Sequence, residues 1–167
     1  ILDSIDMFTR KNGMKEQTKI LYPMRIDYHL DIKDVKGADS LLREYEYKMG
    51  IRPDSPDEEI YDIAHFYRKG RYDLLIQSPN SAIQMFQRYL RLIENRSFYN
   101  GIQHSLREVC YQGLTEAYSL QHQPDSVIKY ANLYCQWNDS STRAKSSEHL
   151  LRYQSLYNYT KIQEQAL

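Results

Sequence analysis

Helix punctuation constrains this chain most. Asx-Ser followed by an apolar residue recurs four times: Asp3-Ser4-Ile5, Asp39-Ser40-Leu41, Asn80-Ser81-Ala82 and Asp125-Ser126-Val127. The starts lie 36, 41 and 45 residues apart. A short side-chain oxygen there accepts a free backbone N–H of a helix's first turn, so each dipeptide marks an expected helix start. One further expected helix separates each pair, which describes a two-helix unit repeated along the chain. Aromatic residues keep step with it. Tyr45 and Phe86 follow the apolar residue by four positions, Tyr89 and Tyr134 by seven.

Apolar residues at three- and four-residue spacing fill the segments between these marks. About eight helices are expected. A short one follows Asp3-Ser4 and closes at Gly13. A second runs from Met14 to Asp31, with a kink or break at Pro23. A third starts at Gly37-Ala38-Asp39-Ser40 and ends at Gly50. Ser55-Pro56-Asp57-Glu58 reads as a capping box opening a fourth, Pro56 to Ile76, in which Gly70 costs about 1 kcal/mol relative to Ala. A fifth follows Ser78-Pro79-Asn80-Ser81 and a sixth follows Asn100-Gly101. A seventh opens at Pro124, and Asn138-Asp139-Ser140 separates it from an eighth that reaches the C-terminus. No stretch of four residues alternates convincingly as a strand. Sixteen Tyr against 6 Gly and 5 Pro suit helices packed through aromatic seams. The expected class is all-α.

A two-helix repeat of this length is the signature of an α-solenoid, and the last unit resembles the tetratricopeptide repeat. The family's bulky residue of the first helix falls on Tyr111, its leucine on Leu114, its small residue on Thr115 and its aromatic on Tyr118. In the second helix its small residue falls on Val127. The family then places an aromatic three residues before an alanine; this chain reverses them as Ala131 and Tyr134, and Asn138-Asp139 stands where the family's terminating proline belongs. The first and middle units keep the helix pair and second-helix pattern but require an insertion in the first helix or its turn. As a motif the resemblance covers residues 107–139. Degenerate, Tyr-rich repeats of this kind resemble the sensor regions of bacterial membrane-anchored two-component and transcriptional regulators.

Other classes lack support. Lys+Arg and Asp+Glu number 22 each, so the general excess of positive charge that nucleic acid or an anionic membrane attracts is missing. The basic, aromatic stretch from His65 to Tyr72 is expected to place Tyr67 in the core and to send its Arg and Lys outward. Mean hydropathy is −0.72 and no apolar run reaches 18 residues, so this region is not expected to enter a membrane. The five histidines, at 29, 65, 104, 122 and 149, match no metal-ligand spacing and read as surface or capping residues. Asp54, Asp57, Glu58 and Glu59 suit a helix start better than a calcium loop. No phosphate-binding glycine loop or nucleophile elbow occurs. No cofactor, metal or catalytic residue is expected. Cys110 and Cys135 are expected as free thiols at one end of a helix pair, where an oxidising compartment would permit a bond.

The expectation is therefore one tetratricopeptide-like helical-repeat domain over 1–167, a piece of a larger protein. Its units, counted by second-helix starts, are 1–36, 37–78, 79–123 and 124–167. The expected role is non-enzymatic: an interaction or sensor module of a bacterial signalling protein, on the periplasmic side of its membrane. The expected partner is a peptide or protein segment in a concave groove, with a homodimer as a further state. The alternatives are a free cytoplasmic tetratricopeptide adaptor or chaperone, and a helical enzyme or small-molecule binder with a Tyr-lined cleft. In such repeats the groove comes from the first helix of each pair, which nominates Gln112, Glu116 and Ser119 as partner-binding residues. Gln112 and Glu116, four apart, share one edge of their helix.

Overall fold

The computed structural model describes residues 15–52, 55–56, 62–95 and 103–165, with side chains except at 15–20, 103–104, 144 and 147–165. Six helices form: α1 Lys15–Asp31, α2 Val35–Met49, α3 Ala64–Leu75, α4 Pro79–Glu94, α5 Gln103–Leu120 and α6 Pro124–Gln165. No strand occurs among the described residues, so the chain is all-α. The first expected helix lies outside the described residues.

The helices pair as three hairpins, α1/α2, α3/α4 and α5/α6, each closed by the same three-residue turn. Lys33, Gln77 and His122, 44 and 45 residues apart, adopt the left-handed backbone conformation (φ 57°, 58° and 55°). The following N–H then donates to the carbonyl five residues back: Asp34 to His29 (2.9 Å), Ser78 to Asp73 (2.8 Å) and Gln123 to Tyr118 (3.1 Å). These bonds satisfy carbonyls that a helix end otherwise leaves without partners.

The hairpin turn thus recurs, in a register that differs from the one read in sequence. Neither Asp39-Ser40 nor Asn80-Ser81 caps its helix through a side chain. Asp34 caps α2 instead, its Oδ1 accepting from the Gly37 N–H at 3.0 Å. Asp39 lies one turn further in, where it accepts from Arg43 and Tyr72. Asn80 and Ser81 lie within the first turn of α4, and Ser81 donates to Asp73 instead. Ile26, Gly70 and Thr115 each precede their turn residue by seven positions, and Ala38, Ala82 and Val127 follow it by five. No insertion is needed within any hairpin. The cuts at 37, 79 and 124 fall just past the turns, so each hairpin straddles one.

Two further expectations change, while the start of the helix expected to open at Ser55 falls on residues 57–61, outside the described residues; Ser55 Oγ accepts from the Arg52 N–H at 2.9 Å, and α3 is described from Ala64. α1 continues through Pro23, held on both sides of it by Tyr22 and Ile26, which are buried against Ala38, Leu42 and Tyr45 of α2. Asn138-Asp139-Ser140 does not end a helix, because α6 runs unbroken for 42 residues. Asn138 Nδ2 donates to Glu108 (2.6 Å), Ser140 Oγ donates to the Gln136 carbonyl (3.0 Å), and buried Ser141 pairs with Ser105 (3.0 Å). With their polar atoms engaged this way, these side chains stop competing with the helix backbone.

Two apolar clusters form the core. One gathers Tyr22, Ile26, Leu30, Ala38, Leu41, Leu42 and Tyr45 from the first hairpin, with Tyr72 and Leu75 of α3 against it. The other centres on Phe86, fully buried, with Ile63, Phe66, Leu74, Ala82, Tyr89, Cys110 and Leu114. Phe86 faces the preceding helix: a Cβ on Gly70 would lie 2.7 Å from its ring. α6 lies antiparallel on α5, with Tyr130 stacked on Tyr118 (5.2 Å) and Arg107 over the Trp137 ring (4.9 Å). Leu114 is fully buried, while Tyr118, Val127 and Tyr134, expected in the core, are only partly so.

Candidate partner-binding face

The first helices α1, α3 and α5 lie side by side, α3 touching both others. On α5 the structure places Gln112, Glu116 and Ser119 together on the exposed side. An amphipathic helix requires this, because Tyr111, Leu114 and Ala117 turn the opposite stripe into the core.

Counting back from each turn residue extends the face to the other hairpins. Gln112 corresponds to Tyr67 and Pro23, and Glu116 to Arg71 and Asp27. Ser119 corresponds to Leu74 and Leu30, both buried, so at that position the face is confined to α5. Glu116, Arg71 and Asp27 alternate in sign from helix to helix. Arg71 Nη1 reaches Asp27 at 3.3 Å and Nη2 reaches Asp31 at 2.6 Å, while Arg68 Nε binds Asp27 at 3.0 Å and Nη1 binds Asp62 at 3.1 Å. Lys69 Nζ lies 3.6 Å from Glu46. The stretch His65 to Tyr72 is therefore an inter-hairpin ion-pair seam, and its cations are occupied within the chain. Tyr67, expected in the core, is only partly buried, its ring against Phe86 and Tyr89; burial raises its phenol pKa.

Two buried polar residues escaped the sequence reading. His65 was expected at the surface or in a cap, but it is 2% exposed. Its Nε2 lies 3.1 Å from Glu46 Oε1, and Tyr45 and Phe66 flank its ring. Glu46 is desolvated, yet the hydrogen bond from His65 and the charge of Lys69 hold its carboxyl below the usual range. Asp73 is 4% exposed and accepts from Ser81 Oγ across the α3/α4 turn. Burial pushes its carboxyl pKa up, and the Ser81 hydrogen bond offsets part of that. The signal for both was indirect: each sits on the apolar stripe of α3, with Phe66 and Leu74 as neighbours.

The remaining chemistry is sparse. No group of three His, Cys, Asp or Glu is placed to hold a metal among the described residues, and no described helix is long and apolar enough to cross a membrane. Cys110 is buried, donates to the Phe86 carbonyl at 3.2 Å, and has its thiol pKa pushed up by desolvation; Cys135 is exposed, and both thiols are free. The exposed edge of α5 carries an amide, a carboxylate and a hydroxyl, at Gln112, Glu116 and Ser119. No protein-family model, curated protein or solved structure matches the chain.

Proposed function

We propose that this chain is a non-enzymatic interaction module, an α-solenoid of the tetratricopeptide kind that holds a peptide segment along α1, α3 and α5. The observation that carries the reading is the recurrence of one turn at 44- and 45-residue spacing, with the first helices of the hairpins side by side. A repeated unit of that length builds an extended face rather than a closed pocket. The middle hairpin strengthens the family resemblance. Gly70 and Ala82 supply the two small residues, and Phe86 supplies the aromatic where the last unit has Ala131. Glu116 accepts from the amides or cations of an extended segment, Gln112 bonds its backbone, and the nearby rings hold its side chains.

The setting we infer is the sensor region of a bacterial membrane-anchored signalling protein, facing the periplasm. An apolar span of about 20 residues downstream of Leu167 in the parent reading frame supports it; a parent with no such span refutes it and leaves the free adaptor. Binding is tested with a displayed library of linear peptides panned on the purified chain. The expected peptides lose at least tenfold in affinity against Gln112→Ala with Glu116→Ala, while the melting temperature stays the same. Peptides that bind the double variant undiminished, or no enrichment over scrambled controls, refute the site.

A further inference from the structure

The two ends of the hairpin series carry matching, exposed stacking faces. Within the chain, consecutive hairpins meet at fixed positions counted from their turn residues. Asp39, six after Lys33, accepts from Tyr72 Oη, five before Gln77, at 3.0 Å. Glu46, thirteen after Lys33, meets His65, twelve before Gln77, at 3.1 Å. Phe86, nine after Gln77, fills the space that Gly113, nine before His122, leaves open; a Cβ there would lie 2.5 Å from the ring. The second helix of one hairpin thus contacts the first helix of the next twice, at different positions that lie on one stripe of each helix.

The same positions recur at both ends of the described hairpins, exposed and with none of the described residues covering them. On α1, Met24 and Tyr28 stand nine and five residues before Lys33. They are 54% and 52% exposed, and Ile32 continues the stripe at 54%. These three lie four apart, in line along one edge of the helix. On α6, Ile128 stands six after His122 and is 60% exposed. Ala131 follows at nine and Cys135, exposed, at thirteen.

We propose that the chain stacks head to tail on a second copy of itself, with the Ile128–Ala131–Cys135 face of α6 seated on the Met24–Tyr28 face of α1 in the register already used between its hairpins. Continuity with the two internal interfaces identifies the occupant. Volume supports it too. Inside the chain a bulky Phe86 opposes Gly113; between copies a small Ala131 opposes a bulky Met24, so each contact joins one large and one small side chain. Ile128 over Tyr28 is apolar where Asp39 over Tyr72 is polar, which favours a contact formed between separate copies by apolar burial. α1 begins eighteen residues before its turn residue and α3 only thirteen, so α1 offers the long α6 a longer track. The contact joins two different faces, so it repeats without closing unless the rotation per copy makes a ring.

Sedimentation velocity on the purified chain tests this. The weight-average mass should rise with concentration beyond two copies. Tyr28→Glu and Ile128→Glu each change an exposed residue, so circular dichroism should match the parent, and so should the melting temperature at a dilution where the parent is monomeric. Each variant alone should stay monomeric. Mixed one to one, they should form a dimer and stop there, because only one competent pair of faces remains. Leu21→Cys adds a geometric readout: Leu21 holds the place of His65, so mild oxidation should link it to Cys135 of the next copy in a ladder of bands. A parent chain that stays monomeric up to its solubility limit overturns the proposal. So does a parent mass that saturates at two copies, or a one-to-one mixture that stays monomeric.

Discussion

Replacing Gly113 with alanine should destabilise this fold, although the same change inside an unconstrained helix stabilises it by about 1 kcal/mol. A buried methyl group adds a further favourable ~0.8 kcal/mol where space exists. Here it does not. The new Cβ would lie 2.5 Å from Phe86 Cζ and 2.7 Å from Cε2, whereas carbon atoms pack best at roughly 3.5–4.0 Å. The ring has no retreat, since its other edge already occupies the space that a Cβ on Gly70 would need, 2.7 Å from Cε1. Relief requires α3 and α5 to part by about 1 Å, which puts the overpacking cost at the upper end of the usual range, ~3 kcal/mol or somewhat more. The net loss should be about 1–2 kcal/mol, a fall in melting temperature of roughly 2–8 °C for a chain of this size. Urea unfolding followed by far-ultraviolet circular dichroism measures it. The decisive arm is Phe86→Leu. In that background the overlap is gone, and Gly113→Ala should become neutral or stabilising by about 1 kcal/mol. A stabilising Gly113→Ala with Phe86 in place, or an equal loss in both backgrounds, would refute the account of how the hairpins mesh.

Three other outcomes follow from the buried groups. Asp73 has a raised carboxyl pKa in the fold, so the stability linked to its protonation is full below the ordinary aspartate value of about 3.9 and is lost as pH rises through the folded value. Asp73→Asn, whose Oδ1 still accepts from Ser81, should therefore raise the melting temperature near neutral pH and lose that advantage in acid; an advantage independent of pH contradicts it. At a dilution where the chain is monomeric, Cys135 should react at once with a thiol reagent while Cys110 reacts only on unfolding, and two equally fast thiols would show that Cys110 is not buried. Leu114→Ala should cost ~2–5 kcal/mol in urea unfolding as a core cavity; a loss under about 0.5 kcal/mol would place the hairpin core elsewhere.

The helical class and the exposed edge at Gln112, Glu116 and Ser119 were legible in sequence because they rest on local rules. Apolar residues at three- and four-residue spacing need one buried stripe, and a chain with few glycines and prolines offers little else to build it from. The turns were legible only roughly. Lys33, Gln77 and His122 take a backbone conformation that glycine usually supplies, so no residue type announced them. They are held by the packing of the helices on either side. Asn138-Asp139-Ser140 read as a stop because each residue weakly disfavours a helix, by tenths of a kcal/mol. The contacts to Glu108 and Ser105 outweigh that preference, and those partners lie some 30 residues away in sequence. Gly70 read as a weak point of its helix; with Gly113 it is the gap that Phe86 fills. His65 read as a surface or capping residue and Asp73 drew no reading at all, and their partners Glu46 and Ser81 make their burial tolerable. Local periodicity decided which elements form, whereas contacts between residues distant in sequence decided where they turn, where they continue and which polar groups go inside.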